Sequence, residues 1–462
     1  MGNASKTPEG KRRLEALFLC LLTQGLLGLA ACGGEESAPQ SAAGSSPNVV
    51  LIVIDTLRTD HLSTYGYERE TSPHLTRLAS EGLRYERATA QAPWTTPSIG
   101  ALMTSRYPSS LGITSEQNAL SDELVLLPEA LQAAGYQTAG VISHSFLGSD
   151  WNFDQGFDLF DETHVQGHSA VTSEGVTRAA QAVFRQLAND DEPFFLFVHY
   201  FDPHAAYVDH GGQDFGGPSG YEGPVSSGLL FRELRKMQDE VGEADLAELI
   251  RLYDSEIAYT DRQIGLLLDT LRESGQWDDT FIIVTADHGE EFLDHGRFGH
   301  AKSLFSELIH VPLVLKLPAS SSAARSVIDE PVALIDLYPT VLAVVGLEAT
   351  TELEGRALLP LPPTGRTLFS ETGRTRAASA AMSGSLKLIQ RPDGRLQLFD
   401  LAMDPGEKSN LAKLRPEDAD RLLGELVEWR EVAAAKALIG ETIQINAANE
   451  QRMKELGYGG DD

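Results

Sequence analysis

Cysteine is almost missing from this chain of 462 residues: only Cys20 and Cys32 occur. Both lie at the N-terminus, so everything after residue 32 is free of disulfides, thiolate metal sites and cysteine nucleophiles. Positive charge is also scarce. The chain carries 37 Lys and Arg against 67 Asp and Glu, a net charge of -30. Such a surface excludes nucleic-acid binding, which needs a basic footprint. An anionic ligand would need a local source of positive charge, such as a metal ion.

One long apolar run is present, and it comes first. Lys11, Arg12 and Arg13 precede LEALFLCLLTQGLLGLAAC, a basic segment followed by an apolar one, as in an export signal. It ends in Leu29-Ala30-Ala31-Cys32, which reads as a bacterial lipobox with Cys32 as the lipidated first residue of the mature chain. Residues 1–31 are thus expected to be a lipoprotein signal peptide and 32–46 a flexible polar tether. The expected location is the bacterial cell envelope, on a lipid anchor. Gly33 in place of aspartate favours the outer membrane. A plain signal peptide or an uncleaved anchor would share the same charge pattern.

From Asn48 the pattern is that of a folded domain. NVVLIVID (48–55) is a nearly continuous, β-branched apolar run and reads as a buried parallel strand. PFFLFVHYFD from Pro193, TFIIVTAD from Thr280 and HVPLVLKLP from His310 read the same way. Helical patterns lie between them. Ser72–Gly82 has a capping serine and a terminal glycine, and Asp254–Gly275 is a long amphipathic helix. The acidic stretch just before it, running to Glu256, reads as a solvated helix face. Strands alternating with helices predict an α/β sandwich with a mostly parallel central sheet, over residues 47–365. In residues 366–462 apolar and polar residues alternate around Pro392-Asp393-Gly394, and a helix follows from about Glu417. That predicts a small C-terminal α+β subdomain with an antiparallel hairpin.

Strand ends carry the polar residues. The first predicted strand runs into Asp55, the second into His199, Asp202 and His204, the third into Asp287 and His288. Open α/β sheets bind ligands at the carboxyl ends of their strands. Asp55, Asp287 and His288 are donors suited to a divalent cation, and a buried carboxylate cluster needs one. QAPWTTPSIGALMTSRYP (91–108) adds a hydroxyl. Thr96 suits a helix N-cap and Pro97 the first helical turn, which leaves Thr95 just ahead of a helix N-terminus, an anion site. On local sequence alone, both threonines could simply cap the helix.

The motifs together resemble the sulfatase-like members of the alkaline-phosphatase superfamily. NVVLIVIDTLRTDHLSTYGY is similar to the family's first metal strand, and Thr285–Leu315 resembles its second metal motif with the substrate lysine region. LQLFDLAMDPGEKSNLA (396–412) resembles its C-terminal motif. By position, the resemblance implies Asp55, Asp287, His288 and Thr95 as metal ligands, with Thr95 also the nucleophile. It implies Lys302 and His204 on the non-bridging oxygens of the ester anion, Arg58 assisting, and His300 or His204 as the acid for the leaving alkoxide. Asp202 reads as a support for ligands rather than a ligand of a second metal. One divalent ion, Zn, Mn or Ca, is expected, with a two-metal site as the alternative.

The departures from that pattern carry information. Sulfate-cleaving members mature a Cys or Ser to formylglycine. The branched Cβ of Thr95 would oxidise only to a ketone. Ile99 replaces the motif arginine, Thr56 the second metal aspartate, and Ser143 the lysine of a second signature, with His144 one place from the motif histidine. The expected activity is therefore an exported, metal-dependent hydrolase of sulfate or phosphate esters working through a covalent Thr95 ester, with phosphate favoured. A phospho-headgroup transferase of envelope lipid or glycan, and an inactive ester- or glycan-binding protein, are the alternatives.

Overall fold

The computed structural model describes residues 46–165, 173–211, 215–321, 325–360, 364–373 and 377–444. The signal segment, Cys32 and the tether up to residue 45 lie outside the described residues. No helix among the described residues is long and apolar enough to cross a membrane.

The strands, in chain order, are β1 (Asn48–Ile54), β2 (Leu83–Thr89), β3 (Gln137–Val141), β4 (Leu159–Asp161), β5 (Phe194–Tyr200), β6 (Thr280–Ala286), β7 (Glu291–Phe292), β8 (Phe298–Gly299), β9 (His310–Lys316), β10 (Ser326–Ile328) and β11 (Val332–Ala333). A C-terminal set follows: β12 (Leu368–Glu371), β13 (Ser379–Ser383), β14 (Leu386–Gln390) and β15 (Leu396–Asp400). Among the described residues the main sheet runs β10-β2-β9-β6-β1-β5-β3-β4, with β11 also on β2. β1 lies at its centre, parallel to β5 on one side and to β6 on the other. All seven residues of each of these three strands are buried, which is why their sequences are apolar on both faces.

β9 differs from the parallel strand expected: it pairs antiparallel with both β6 and β2. Its apolar run is the same because burial on both faces, not strand direction, dictates composition. The direction follows from the connection. The chain crosses the top of the sheet through residues 287–309 and returns down the neighbouring position without a crossover helix.

The long helix starts earlier than the apolar pattern indicates, spanning Glu243–Glu273. Its middle is not a solvated face. Asp254, Glu256 and Asp261 are all buried. Asp254 gathers His61 Nδ1 at 2.9 Å, the Tyr67 hydroxyl at 2.8 Å and Arg69 at 2.6 Å. Glu256 accepts from Val208 N at 2.6 Å and holds His210 Nε2 at 2.8 Å. Asp261 accepts the His74 and Leu75 amides at 2.8 and 2.9 Å, the first turn of the helix Pro73–Ser80. The expected capping residue, Ser72, makes no such bond. A carboxylate from another helix satisfies those orphan donors instead.

β12 to β15 form an antiparallel sheet whose β14–β15 hairpin turns at Pro392-Asp393-Gly394, with Gly394 at φ +81°. The helix Pro416–Ala435 covers it through Leu422, Leu426 and Trp429. Trp429 stacks on Phe369 at 4.8 Å and meets Tyr107 edge-on at 5.0 Å. The far end of this sheet clasps the chain that enters the Thr95 helix. Ser370 Oγ donates to Ala90 O at 2.7 Å, Glu371 N to Gln91 O at 2.9 Å, and Trp94 Nε1 to Thr372 O at 2.8 Å.

Burial pushes the Asp261 carboxyl up to about 7. Its folded value then exceeds the unfolded one, so its contribution is fully present below about pH 4 and is lost as pH rises through about 7. Urea unfolding at pH 4 and pH 7 is expected to show wild type losing about 3 kcal/mol relative to Asp261→Asn over that interval. An unchanged difference would rule this ionisation out.

Candidate active site

The site forms at the carboxyl ends of β1 and its two parallel neighbours, β5 on one side and β6 on the other, where open α/β sheets bind their ligands. Asp55 follows β1 directly, and its amide donates to Tyr200 O at 2.9 Å. The chain then turns through Thr56 at φ +49°, a strained value for a β-branched residue. That turn is pinned by the Tyr253 hydroxyl on Thr56 O at 2.7 Å and by Thr56 N on Asp287 Oδ1 at 3.3 Å. Asp287 Oδ1 also accepts the His288 amide at 2.8 Å. With Oδ1 so occupied, Oδ2 is left facing the space between the strand ends.

Around that space lie donor atoms in the states a cation needs. His288 Nδ1 donates to Gly289 O at 2.9 Å, so its Nε2 presents a lone pair. That Nε2 is 3.4 Å from Asp287 Oδ2, 3.6 Å from Asp55 Oδ1 and 3.4 Å from Thr95 Oγ1. His199, the penultimate residue of β5, points its Nε2 at Asp55 Oδ2 from 3.8 Å. The ligand atoms of Asp55, His199 and Asp287 lie within 4.8 Å of one another, all buried. Both Asp55 oxygens, Asp287 Oδ2 and His199 Nε2 lack a hydrogen-bond partner among the described residues. Orphaned carboxylate oxygens at zero exposure are costly unless a cation sits among them, so this donor set fits a divalent ion.

Charge tells the same story. Burial, then the neighbouring Asp287 and Glu290, hold the Asp55 carboxyl well above its ordinary range. Burial also raises Asp287, and raises Glu290 to about 7. Burial and His288 push His199 down to about 3, which keeps it in its neutral, ligating form.

Thr95 is the first residue of the helix Thr95–Thr104, with Trp94 as N-cap, so the helix begins two residues sooner than a Thr96 cap implies. It is fully buried. Its position is secured from three sides: Trp94 by Thr372, Pro93 O by the Ala301 amide at 2.9 Å, and Ser98 Oγ by Asp287 O at 2.6 Å. The helix N-terminus therefore opens onto the cation-binding atoms.

Two further expected residues complete the floor. His300 Nδ1 donates to Glu290 Oε1 at 3.0 Å, and Glu290 Oε2 accepts the Tyr207 hydroxyl at 3.2 Å. This carboxylate fixes the tautomer and orientation of the ring, which lies 4.6 Å from that of His288. His204 donates from Nδ1 to Ala205 O at 3.0 Å, stacks on Phe201, and meets His300 edge-on at 5.1 Å. Lys302 is exposed and lines the wall of a cleft of about 780 Å³.

Arg58 is placed elsewhere than expected. Its Nε and Nη2 donate to Asp60 at 2.9 and 2.8 Å, its two Nη atoms to Asp294 at 2.8 and 3.1 Å, and Nη1 also to Glu290 O at 3.1 Å. All of its guanidinium donors are engaged, and it braces the 287–294 turn rather than facing a substrate. Asp202 is bound to Ser173 N and Oγ at 2.6 and 2.8 Å, at the start of the helix Ser173–Leu187. It is not among the cation-facing carboxylates.

His144, His199, Glu290 and Tyr207 belong to the site without having been assigned there. His144 Nδ1 accepts the Phe146 amide at 3.0 Å, so the neutral ring carries its proton on Nε2, 3.9 Å from Asp55 Oδ2. It is a donor for an anion, whereas His199 is a lone-pair ligand. The sign of His199 was a histidine inside a wholly apolar strand. For Glu290 and Tyr207 no local pattern separates them from ordinary loop residues.

Comparison with known proteins agrees with this geometry. The Sulfatase family matches residues 47–347. A sulfatase of Formosa agariphila is 25% identical over 455 residues, covering 86% of this chain and 87% of its own. A solved structure in complex with its substrate D-glucosamine-2-N,6-O-disulfate has a TM-score of 0.70 at 20% identity, covering 85% of this chain and 99% of that one. The phosphonate monoester hydrolase of Agrobacterium radiobacter has a TM-score of 0.65 at 21% identity, covering 84% and 96%. With its central parallel strands, the buried Asp and His donors at their ends and the family match across most of its length, the chain belongs to the sulfatase family of hydrolases.

Proposed function

We propose that this chain hydrolyses phosphoric monoesters or diesters through a covalent Thr95 intermediate, with a divalent cation at Asp55, Asp287 and His288. The observation that carries this is the Thr95 hydroxyl at a helix N-terminus, 3.4 Å from His288 Nε2 and beside orphaned carboxylate oxygens. His199 supplies a further donor. The bound ion would neutralise the buried carboxylates and lower the pKa of the Thr95 hydroxyl.

The deprotonated Thr95 Oγ attacks phosphorus in line, and the bond from phosphorus to the alcohol oxygen breaks. His300, entering the step as the imidazolium with Nδ1–H held by Glu290, gives its Nε2 proton to the departing alkoxide and becomes neutral. The His144 Nε2–H, His204, Lys302 and the helix N-terminus hold the non-bridging oxygens as charge builds on them. Neutral His300 then takes a proton from water. That water attacks phosphorus and releases Thr95. A formylglycine sulfate ester can collapse from its geminal diol, but a threonine ester resolves only by attack at the central atom. Phosphorus accepts that attack readily, and the phosphonate monoester hydrolase likeness supports the same preference. Relatives named as sulfatases favour sulfate as the second reading.

We also place the protein at the bacterial cell envelope on a lipid at Cys32. Labelling with a radioactive fatty acid is expected to mark wild type and not Cys32→Ser; equal labelling would exclude this anchor.

Stripping the protein with a chelator is expected to lower its Tm by several degrees, with Mn²⁺ or Zn²⁺ restoring it. Ligand at a hundred times its Kd stabilises by about 2.7 kcal/mol. Asp55→Asn and Asp287→Asn should flatten that response, and a metal-insensitive wild type would sink the cation assignment. Quenching turnover of aryl phosphate and aryl sulfate esters, followed by accurate mass of the 91–106 peptide, should find a phosphoryl adduct on Thr95. Thr95→Ala should lose about 10³-fold or more in kcat. A sulfo adduct would establish the second reading, and undiminished turnover by the alanine variant would remove Thr95 from the mechanism.

A further inference from the structure

The cleft of about 780 Å³ beside the catalytic floor has a charge at odds with the rest of the chain. Against a net charge of -30, its walls carry Arg297, Lys302 and Arg391, opposed by Glu116 and Glu291. Glu291 contributes little negative charge. Burial and the neighbouring Glu307 push its carboxyl up to about 7, while it accepts the His295 and Arg297 amides at 3.0 and 2.9 Å.

The arginines are the unusual members. Several other arginines of this structure are held by carboxylates, as Arg58 is by Asp60 and Asp294. Among the described residues, neither the Arg297 nor the Arg391 guanidinium has an ion-pair or hydrogen-bond partner; Arg297 is exposed, while Arg391, near the charge of Asp393, has its Nε buried. A guanidinium cannot shed its proton to relieve that state. A buried donor without an acceptor costs about 1–3 kcal/mol, and the cost is recovered only when an anion arrives. Arg391 stands at the mouth of the β14–β15 hairpin, where its amide and carbonyl close the turn with Arg395 O and Gly394 N, both at 2.9 Å. The hairpin therefore holds the side chain at the cleft rather than leaving it to roam.

The cleft is continuous with the chemistry. Thr372 and Ala301, both in its lining, bond respectively to Trp94 and to Pro93, the two residues before Thr95. Lys302, also in the lining, stands between this cleft and the segment that carries His300, so the cleft is the space open to the alcohol half of an ester held at Thr95.

We propose that the alcohol half of the substrate carries a second anionic group, a carboxylate, sulfate or phosphate, seated on Arg391 and Arg297. This rests on the reading of Thr95 as the ester site, but its test needs no turnover. The probes are the 2-, 3- and 4-carboxyphenyl phosphates and the matching carbamoylphenyl phosphates. They are titrated calorimetrically at low salt into Mn²⁺-loaded full-length Thr95→Ala protein, with and without Arg391→Gln or Arg297→Gln. At least one carboxylate isomer should bind about 10-fold more tightly than its carboxamide, as expected for a charge-assisted pair. Each arginine substitution should bring that ratio towards one and leave carboxamide affinity within about twofold. Absence of any carboxylate preference, or a preference that survives both substitutions, would overturn the proposal. A preference without any adduct on wild-type Thr95 would instead leave this site standing and remove the nucleophile.

Discussion

Three carboxyl groups, Asp55, Asp287 and Glu290, are buried together at the end of the central strands, with no exposure at all. Their mutual repulsion is the constraint around which the rest is arranged. An arginine relieves it only at its edge: Arg58 is turned onto Asp60 and Asp294, meets Glu290 through the backbone carbonyl, and lowers that carboxyl through its charge alone. Relief comes from two other sources. Glu290 shares its charge with His300 and Tyr207, while Asp55 and Asp287 turn bare oxygens inward with the lone pairs of His199 and His288. The first pairing makes an oriented acid, the second a cation hole. One electrostatic problem thus yields both halves of the chemistry.

The C-terminal sheet is a working part of this arrangement. Its first strand bonds to the backbone of Ala90 and Gln91 and receives Trp94, fixing the entry to the Thr95 helix. Its hairpin brings Arg391 to the outer wall of the cleft. A buried ion pair, Lys387 to Glu407 at 2.9 Å, holds the sheet against Ser306, in the segment that follows Lys302. Loss of the partner of such a pair leaves an uncompensated buried charge. One small sheet thus contacts both the entry to the Thr95 helix and the wall of the cleft that carries Arg391.

Legibility from sequence followed the physics of each feature. β1, β5 and β6 were plain because strands buried on both faces must be apolar throughout, and the polar residues at their ends then stood out. The same rule hid the direction of β9, since an antiparallel strand in the sheet centre has the same composition. Asp254 and Glu256 read as part of a solvated helix face because their partners are far away in sequence: Asp254 meets His61 and Glu256 meets Val208, 193 and 48 residues distant. Arg58 followed a metal aspartate and looked available, but the carboxylates that claim it include Asp294, 236 residues on. Pairwise charge compensation is a property of the fold and leaves no local pattern.

His144 and His199 show how much a tautomer decides. Both rings approach Asp55 Oδ2, at 3.9 and 3.8 Å. Distance alone would give them one role. For His144 the Phe146 amide occupies Nδ1 as an acceptor, which forces the proton onto Nε2 and makes the ring a donor. For His199 the Ser143 hydroxyl donates to the His199 carbonyl at 2.6 Å, so Ser143 Oγ faces Nδ1 as an acceptor and leaves Nε2 a lone pair. Ser143 stands where the family signature has lysine. The replacement removes a positive charge from the site and, in its place, sets the tautomer of a cation ligand. On the proposed reading, the site exchanges a cation on the protein for a better-defined donor toward a metal cation. That exchange suits a nucleophile such as threonine, whose unaided hydroxyl is a far weaker attacker than an aldehyde hydrate and depends more heavily on the bound ion.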